Sequence, residues 1–444
     1  MYNKTLRIEK IQGWGNFPKA FGNVFRPERI NDLYELFGRE VKSLLARGGE
    51  RSYGDASINI DGINIDTKRL NKMLNFDPQK GVLHCQSGVT VQDIVKTFLP
   101  KGWILNVTPG TQFSTVGGCV ACDAHGKNWK AGSFCNFVLG FNLLIHDGDI
   151  IYCDANQNSD IYYATIGGMG MTGIILDVYL QLKKISSAYM DVENIRFNSL
   201  KEAFELLYES MDSHEYLFSW LDSHKEGKDM GRGILQRGVH SGNGCLQYYK
   251  KKTVPLLFNL PSFTMNRYSV EAFNTICYFK KRFENRKKRV FFIDFFYPLD
   301  SIANWNRIYG KTGFVEYQVV IPFNVAYETI SELLQSITKS KLGSIIAVLK
   351  PLMKSNGIIA FPIEGFTLAV DFPYSQKVLK LLNRLDNIVS ENGGRVYLAK
   401  DARLTGETFR KMYSESLDMW ESVREKYNIE NKFSSLMFNR LYKS

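Results

Sequence analysis

The chain has 444 residues, of which 44% are hydrophobic, 13% aromatic and 23% charged, a balance that excludes a largely disordered protein. Twelve prolines exclude a proline-rich linker, and the length allows two or three domains of about 150 residues each. The net charge of +11 predicts an acidic partner: nucleic acid, an anionic membrane surface or a phosphorylated ligand.

The first residues, MYNKTLRIEKIQGWG, lack the apolar run of a signal peptide. No uninterrupted apolar stretch reaches the roughly 18 residues that span a bilayer. The nearest candidate, 343–363, is broken by Lys350, Pro351, Lys354 and Asn356. Seven cysteines, an odd number without framework spacing, suit a reducing compartment. These features predict a cytoplasmic protein, either free or peripheral on the inner face of the plasma membrane.

Residues 40–185 are rich in glycine and in short strands. Val82–Val89 reads as a strand. Thr90 reads as the N-cap of a helix over Val91–Phe98, with Asp93 completing a capping box. Phe141–Ile145 and Ile150–Cys153 read as a hairpin around Asp147–Gly148. A glycine loop, 167–173, runs into a strand over Ile174–Leu182. Beyond a boundary placed near 186, glycine thins out. Helices are expected at Leu200–Met211 and Val325–Ile337, and strands at Phe291–Phe296, Thr367–Asp371 and Arg395–Ala399. The class is α+β, and residues 395–444 could join either side on pattern alone.

Three segments could carry chemistry. The first, RGGERSYGD at 47–55, places glycines, arginines and a small hydroxyl residue in one loop, as diphosphate binding requires. It is neither a P-loop nor a Rossmann fingerprint, and an ordinary glycine turn with surface arginines also accounts for it. The second runs from Thr108 to Phe134, with four small-residue clusters that would let backbone approach a large flat ligand. His125 lies among them, although a lone histidine is as readily a core residue. Cys119, Cys122 and His125 lack an obvious fourth ligand, so no metal is expected. The third, Tyr397–Arg403, puts Lys400 at a strand end beside Asp401 and Arg403, where a surface strand end is the plainer reading.

Taken together, RGGERSYGD (47–55), TPGTQFSTVGGCVACDAHGKNWKAGSF (108–134), FFYPLDSIANWNRIYG (295–310), GFVEYQVVIP (313–322) and RVYLAKDARLTGETFRKMY (395–413) resemble the vanillyl-alcohol oxidase superfamily of PCMH-type FAD-binding oxidases. The resemblance is strongest to its decaprenylphosphoryl-β-D-ribose 2′-oxidase branch. It implies a two-domain α+β fold: an FAD-binding domain from 1–186, a cap domain with an antiparallel sheet and helices from 187–394, and a C-terminal segment, 395–444, that returns to the first domain. It implies that Arg47, Gly48, Gly49, Glu50, Arg51, Ser52 and Tyr53 meet the FAD diphosphate. Pro109, Gly110, Thr111, Thr115, Gly117, Gly118, Cys122, His125, Gly126, Asn128, Ala131, Gly132, Ser133 and Ile174 would line the rest of the cofactor. Lys400, His125 and Tyr53 are the implied catalytic residues, and Lys127, Gln318, Lys350 and Tyr297 the implied substrate contacts.

There are departures. Lactone oxidases of the superfamily attach FAD through a histidine where this chain has Arg51, so non-covalent FAD is expected. Ala369 replaces a cysteine of the ribose oxidases, and Trp129 a second histidine of the motif. The implied reaction is oxidation of a secondary sugar hydroxyl, on a polyprenyl-phosphate-linked pentose, as the first half of an epimerisation completed by a short-chain reductase. The electron acceptor would be oxygen or a quinone. The alternative is a soluble sugar or aldonolactone oxidase using oxygen.

The charge is concentrated. Lys250–Lys252 carries +3, and Lys280–Arg289, with seven basic residues and one acid, carries +6 of the net +11. Both clusters adjoin apolar residues, as a peripheral membrane contact requires, although a solvated charged loop has the same composition. Nucleic-acid binding is not expected, because it leaves the glycine clusters unexplained.

Overall fold

The computed structural model describes residues 6–37, 40–242, 244–280, 287–343, 345–429 and 432–442. Three larger sheets organise them, beside a two-stranded parallel pair of Val254–Pro255 and Ile302–Ala303. In the first, Arg7–Gln12 and Lys19–Phe25 are antiparallel, and Ile63–Asp66 pairs in parallel with both Lys19–Phe25 and Leu44–Arg47. The second is antiparallel, in the order Met73–Asp77, Val82–Gln86, Ile174–Lys184, Val138–Leu144, Ile150–Cys153, with Trp103–Leu105 also pairing to Ile174–Lys184. The third has eight antiparallel strands: Lys288–Phe291, Tyr189–Phe197, Gly233–His240, Tyr216–Leu221, Ala347–Leu352, Gly365–Pro373, Phe314–Pro322 and Arg395–Val396.

Local chemistry explains several elements. Thr90 caps the helix Val91–Phe98 by accepting from Asp93 N, while the Asp93 carboxylate takes the Thr90 amide. The helix buries Val91, Ile94, Val95 and Phe98, the spacing of one helical face. In the hairpin, Asp147 Oδ1 accepts from Asp149 N at 2.9 Å, and Gly148 takes a φ of 96°. The helices Leu200–Met211, Ala326–Ser340 and Gln376–Glu391 pack against the large sheet and one another.

Two expectations change. The apolar run over Phe291–Phe296 is not a strand: the strand Lys288–Phe291 ends there, and Phe292–Phe296 forms a helix buried through Phe292, Ile293, Phe295 and Phe296. Apolar residues on both sides of Asp294 leave no clear period to separate the two states, and tertiary packing chose. The strand expected over Arg395–Ala399 covers only Arg395–Val396. The chain then turns, with Lys400 N and Asp401 N both donating to Tyr397 O, so Lys400 stands on a turn.

The segment from 395 begins on the large sheet and crosses to the N-terminal sheets. Trp420 donates to Ala164 O at 2.9 Å, Arg424 to Met171 O at 3.1 Å and Leu436 N to Ile58 O at 2.6 Å. Arg440 closes this return. It meets both Asp55 oxygens at 2.9 Å and Asp401 Oδ2 at 2.9 Å, tying together the loops that follow Tyr53 and Lys400. Both carboxylates are buried, so removing the guanidinium strands two charges. Arg440→Ala should lower stability by about 3 kcal/mol, measured by denaturant unfolding.

Candidate active site

A cavity of about 470 Å³ lies where the three sheets converge. Residues 46–57 and 109–125 form one side of it, and Glu316, Gln318, Val348, Lys350, Ala369 and Asp371 of the large sheet face them. Side chains two apart on a strand share a face, and Glu316 and Gln318 pair directly with Asp371 and Ala369. The turn Tyr397–Lys400 closes one end.

The end built by residues 47–52 is shaped by glycine. A Cβ on Gly48 would stand 2.0 Å from Thr115 Oγ1, and one on Gly49 2.3 Å from Phe113 O, so only glycine lets the two loops touch. Arg47 is buried, with Nη2 donating to Gln12 O at 3.2 Å. Arg51 lies over Trp14, 4.3 Å from the ring centroid. Burial lowers the pKa of both guanidinium groups. Arg47 Nε, Arg51 Nε, Ser57 Oγ and Ser87 Oγ are buried and meet no partner among the described residues, and all four residues line this cavity. Unpartnered donors beside a glycine cradle fit the phosphates and hydroxyls of a dinucleotide cofactor.

The opposite end is ionisable. Lys350 Nζ contacts His125 Nδ1 at 3.0 Å and donates to Gly126 O at 2.5 Å. The Gln318 amide contacts His125 Nε2 at 2.9 Å and Thr367 Oγ1 at 3.1 Å. A neutral imidazole offers one donor and one acceptor. Because the Gln318 amide nitrogen donates to His125 Nε2, the imidazole proton sits on Nδ1 and is donated to a neutral Lys350 Nζ. Burial, with Lys400 second, lowers Lys350 to about 7. Burial, then Lys350 and Lys400, holds His125 well below the usual imidazole range. Lys400 Nζ is 3.1 Å from Glu316 Oε2 and 3.3 Å from the Tyr53 ring centroid. Burial, then Glu316, raises the Tyr53 phenol well above its ordinary value, so it keeps its proton.

Of the residues singled out from sequence, Arg47–Tyr53, Pro109, Gly110, Thr111, Thr115, Gly117, Gly118, Cys122, His125, Gln318, Lys350 and Lys400 line the cavity. Gly126, Lys127, Asn128, Ala131, Gly132, Ser133, Ile174 and Tyr297 stand outside its lining. Lys127 Nζ reaches Gln236 Oε1 and the Phe295 carbonyl, between the Phe218 and Phe295 rings. Asn128 donates to Glu215 and to Asn106 O, and Tyr297 shares a 2.6 Å hydrogen bond with Thr108. Ser133 pairs with His125 in a β-bridge and donates to Ser355.

Lining residues not named as site residues from the sequence include Glu316, Asp371 and Asp300. Asp300 accepts from Thr111 Oγ1 and Gln112 N, both at 2.8 Å. Tyr397 stacks on Phe361 and donates to Cys122 O at 3.0 Å. For Glu316 a signal was present, since it lies two residues before Gln318 on one strand.

A dinucleotide cradle joined to a cluster of histidine and lysines, on this α+β scaffold, defines an FAD-dependent oxidoreductase acting on CH–OH groups. Residues 21–154 match the family described as FAD binding domain. Over 451 aligned residues the chain is 32% identical to the decaprenylphosphoryl-β-D-ribose oxidase of Mycolicibacterium smegmatis, covering 98% of this chain and 97% of the relative. The chain belongs to that family of PCMH-type FAD oxidases. The L-gulonolactone oxidase of Bos taurus is 24% identical over 48% of each chain. The D-lactate dehydrogenase of Anaerostipes hadrus is 28% identical over 40% of each.

Lys350 makes stability depend on pH. It titrates at about 7 when folded, against 10.5 ordinarily. Between these values the unfolded chain holds a proton that the folded chain has released. Its contribution is therefore flat below about 7 and favours folding increasingly as pH rises above it. Lys350→Met should remove about 2 kcal/mol of the stability difference between pH 6 and pH 9, measured by denaturant unfolding of both proteins.

Proposed function

We propose that this protein oxidises a secondary hydroxyl of a sugar carried on a polyprenyl phosphate, converting the 2′-hydroxyl of a pentose to a ketone. The observation that carries this is the near full-length similarity to a decaprenylphosphoryl-β-D-ribose oxidase, with His125, Lys350, Gln318 and Lys400 gathered in one cavity. In this reading 1–186 and 395–444 bind FAD and 187–394 cap the substrate. FAD is held non-covalently, since Arg51 occupies the place of the attaching histidine. Glycines 48 and 49, with Arg47 and Arg51, hold the diphosphate.

Bound FAD supplies the hydride acceptor. The chain must manage the proton of the alcohol and the charge left on its oxygen. Lys400, kept beside Glu316, places a cation where negative charge develops on that oxygen. The His125–Lys350 pair takes the proton: it leaves the substrate oxygen for the pair and comes to rest on Lys350 Nζ, whose pKa of about 7 matches a neutral working pH. Tyr53 retains its proton and serves only as a donor. The ketone product would pass to a short-chain reductase for return of hydride to the other face, with oxygen or a quinone reoxidising the flavin.

A lipid-borne substrate calls for approach to a membrane. Among the described residues no helix is long and apolar enough to cross one. The cap helix Arg267–Lys280 buries Val270, Asn274 and Tyr278, yet exposes Tyr268 at 77% and Ile276 at 64%. Leu257 and Phe258 are also exposed, near Lys250 and Lys252 in sequence. Residues 281–286 of the basic cluster lie outside the described residues. Of its neighbours, Lys251 pairs with Asp294 and Arg289 with Asp191. The exposed apolar side and the lysines support docking on an anionic bilayer.

Two outcomes are expected. The purified protein should be yellow and release its flavin on acid precipitation. Anaerobic polyprenyl-phosphoryl ribose should bleach it, whereas Lys400→Ala should stay yellow and bleach at least about 100-fold more slowly, read by flavin absorbance. Replacing Lys250, Lys252 and Lys280–Arg289 with neutral residues should weaken sedimentation with anionic vesicles and leave flavin content unchanged. Equal sedimentation would remove the membrane role.

A further inference from the structure

Across the antiparallel pair Phe314–Pro322 and Gly365–Pro373, Glu316 stands directly opposite Asp371. Both line the cavity. Asp371 is 1% exposed and the Glu316 side chain 10%. Like charges in opposed positions repel, and a wall of low polarity does not sustain two ionised carboxylates in contact.

The hydrogen bonding leads to the same conclusion. No donor among the described residues reaches Asp371 Oδ1, and the side chain opposite it on the neighbouring strand is Glu316. Two carboxylates offer only acceptors, so a hydrogen bond between these opposed neighbours requires a proton on one of them. The surroundings assign it. Glu316 Oε2 is paired with Lys400 Nζ at 3.1 Å. Asp371 Oδ2 has the neutral Tyr309 hydroxyl at 3.2 Å. Burial first, and the Glu316 charge second, hold the Asp371 carboxyl well above the usual range.

Lys400 depends on this arrangement. It stands on a turn, and its flexible stem is held only where its ammonium is bracketed, by the Tyr53 ring and by Glu316. The titratable groups around the pair are Lys400, Lys350, Tyr53 and Tyr309.

We propose that Glu316 and Asp371 are positioning residues for Lys400: a carboxylate–carboxyl pair sharing one proton, which sets a single negative charge beside Lys400 and holds its ammonium over the Tyr53 ring at the cavity wall. A second negative charge would draw Lys400 out of that position. A fully protonated pair would release it. The consequence for turnover rests on the reading of Lys400 given above, whereas the shared proton does not.

The test uses infrared spectra and kinetics of the purified holoprotein. At pH 7 the parent should show the carbonyl band of a protonated carboxyl, displaced by isotope-labelled aspartate and lost in Asp371→Asn. In Glu316→Gln the band should persist but disappear at lower pH than in the parent, because one of the two causes holding the proton has gone. Glu316→Gln should lower kcat by about 100-fold, with KM and FAD content unchanged, as expected when a reacting group is misplaced by about 1 Å. Asp371→Asn should flatten the alkaline limb of the kcat profile. An identical carboxyl band in parent and Asp371→Asn would overturn the shared proton. A kcat for Glu316→Gln within twofold of the parent would overturn the positioning of Lys400. If the parent neither binds FAD nor oxidises a sugar alcohol, the functional reading fails, and the infrared comparison still decides the carboxyl pair.

Discussion

Two lysine side chains, Lys350 and Lys400, share one buried cavity wall, and most of the surrounding chemistry follows from keeping them there. Lys400 lowers the affinity of Lys350 for a proton, and burial does so more strongly. The chain resolves the conflict unequally. Lys350 meets His125 and the Gly126 carbonyl, and its proton becomes exchangeable near neutrality. Lys400 is given Glu316 and the face of Tyr53. A poised amine and an anchored lysine therefore stand in one wall, an arrangement that suits the proposed oxidation of an alcohol.

The opposite end works by a different principle. There two arginines flank a glycine turn, and what matters is that backbone and short side chains leave room. Gly48 and Gly49 press against Thr115 and Phe113 so closely that a methyl group has no place. Buried donors on Arg47 and Arg51 are left unpartnered among the described residues. A ligand that completed such groups would relieve a cost of about 1–3 kcal/mol for each unsatisfied buried donor. Cofactor affinity and local instability without the cofactor are thus two sides of one arrangement. Arg440 steadies the loops around it by bridging Asp55 and Asp401.

Much of this was legible beforehand where chemistry is local. The Thr90 capping box, the Asp147–Gly148 hairpin and the helix Leu200–Met211 stand where their residues place them. Their signals are hydrogen bonds and periodicities spanning a few residues. The run at 291–296 and the strand expected through Ala399 misled, because apolar residues on both sides of Asp294 leave no clear period and because the turn at Tyr397 is set by contacts with distant chain. Asn128 and Lys127 belong to the motif that signalled the site, but their side chains reach Glu215 and Gln236 instead of the cavity.

The sequence by itself determined the α+β class, the glycine and arginine loop suited to a diphosphate, and the presence of His125 and Lys400 in motifs of a flavin oxidase. These are properties of neighbouring residues and of spacing. Only the tertiary structure decided that Glu316 faces Asp371, that Lys350 meets His125 and that Lys400 lies over Tyr53. Those partners are separated by tens to hundreds of residues, and the registers of three sheets bring them together. Their ionisation follows from that meeting, since a proton's affinity depends on burial and on neighbouring charge, neither of which a linear order of residues contains.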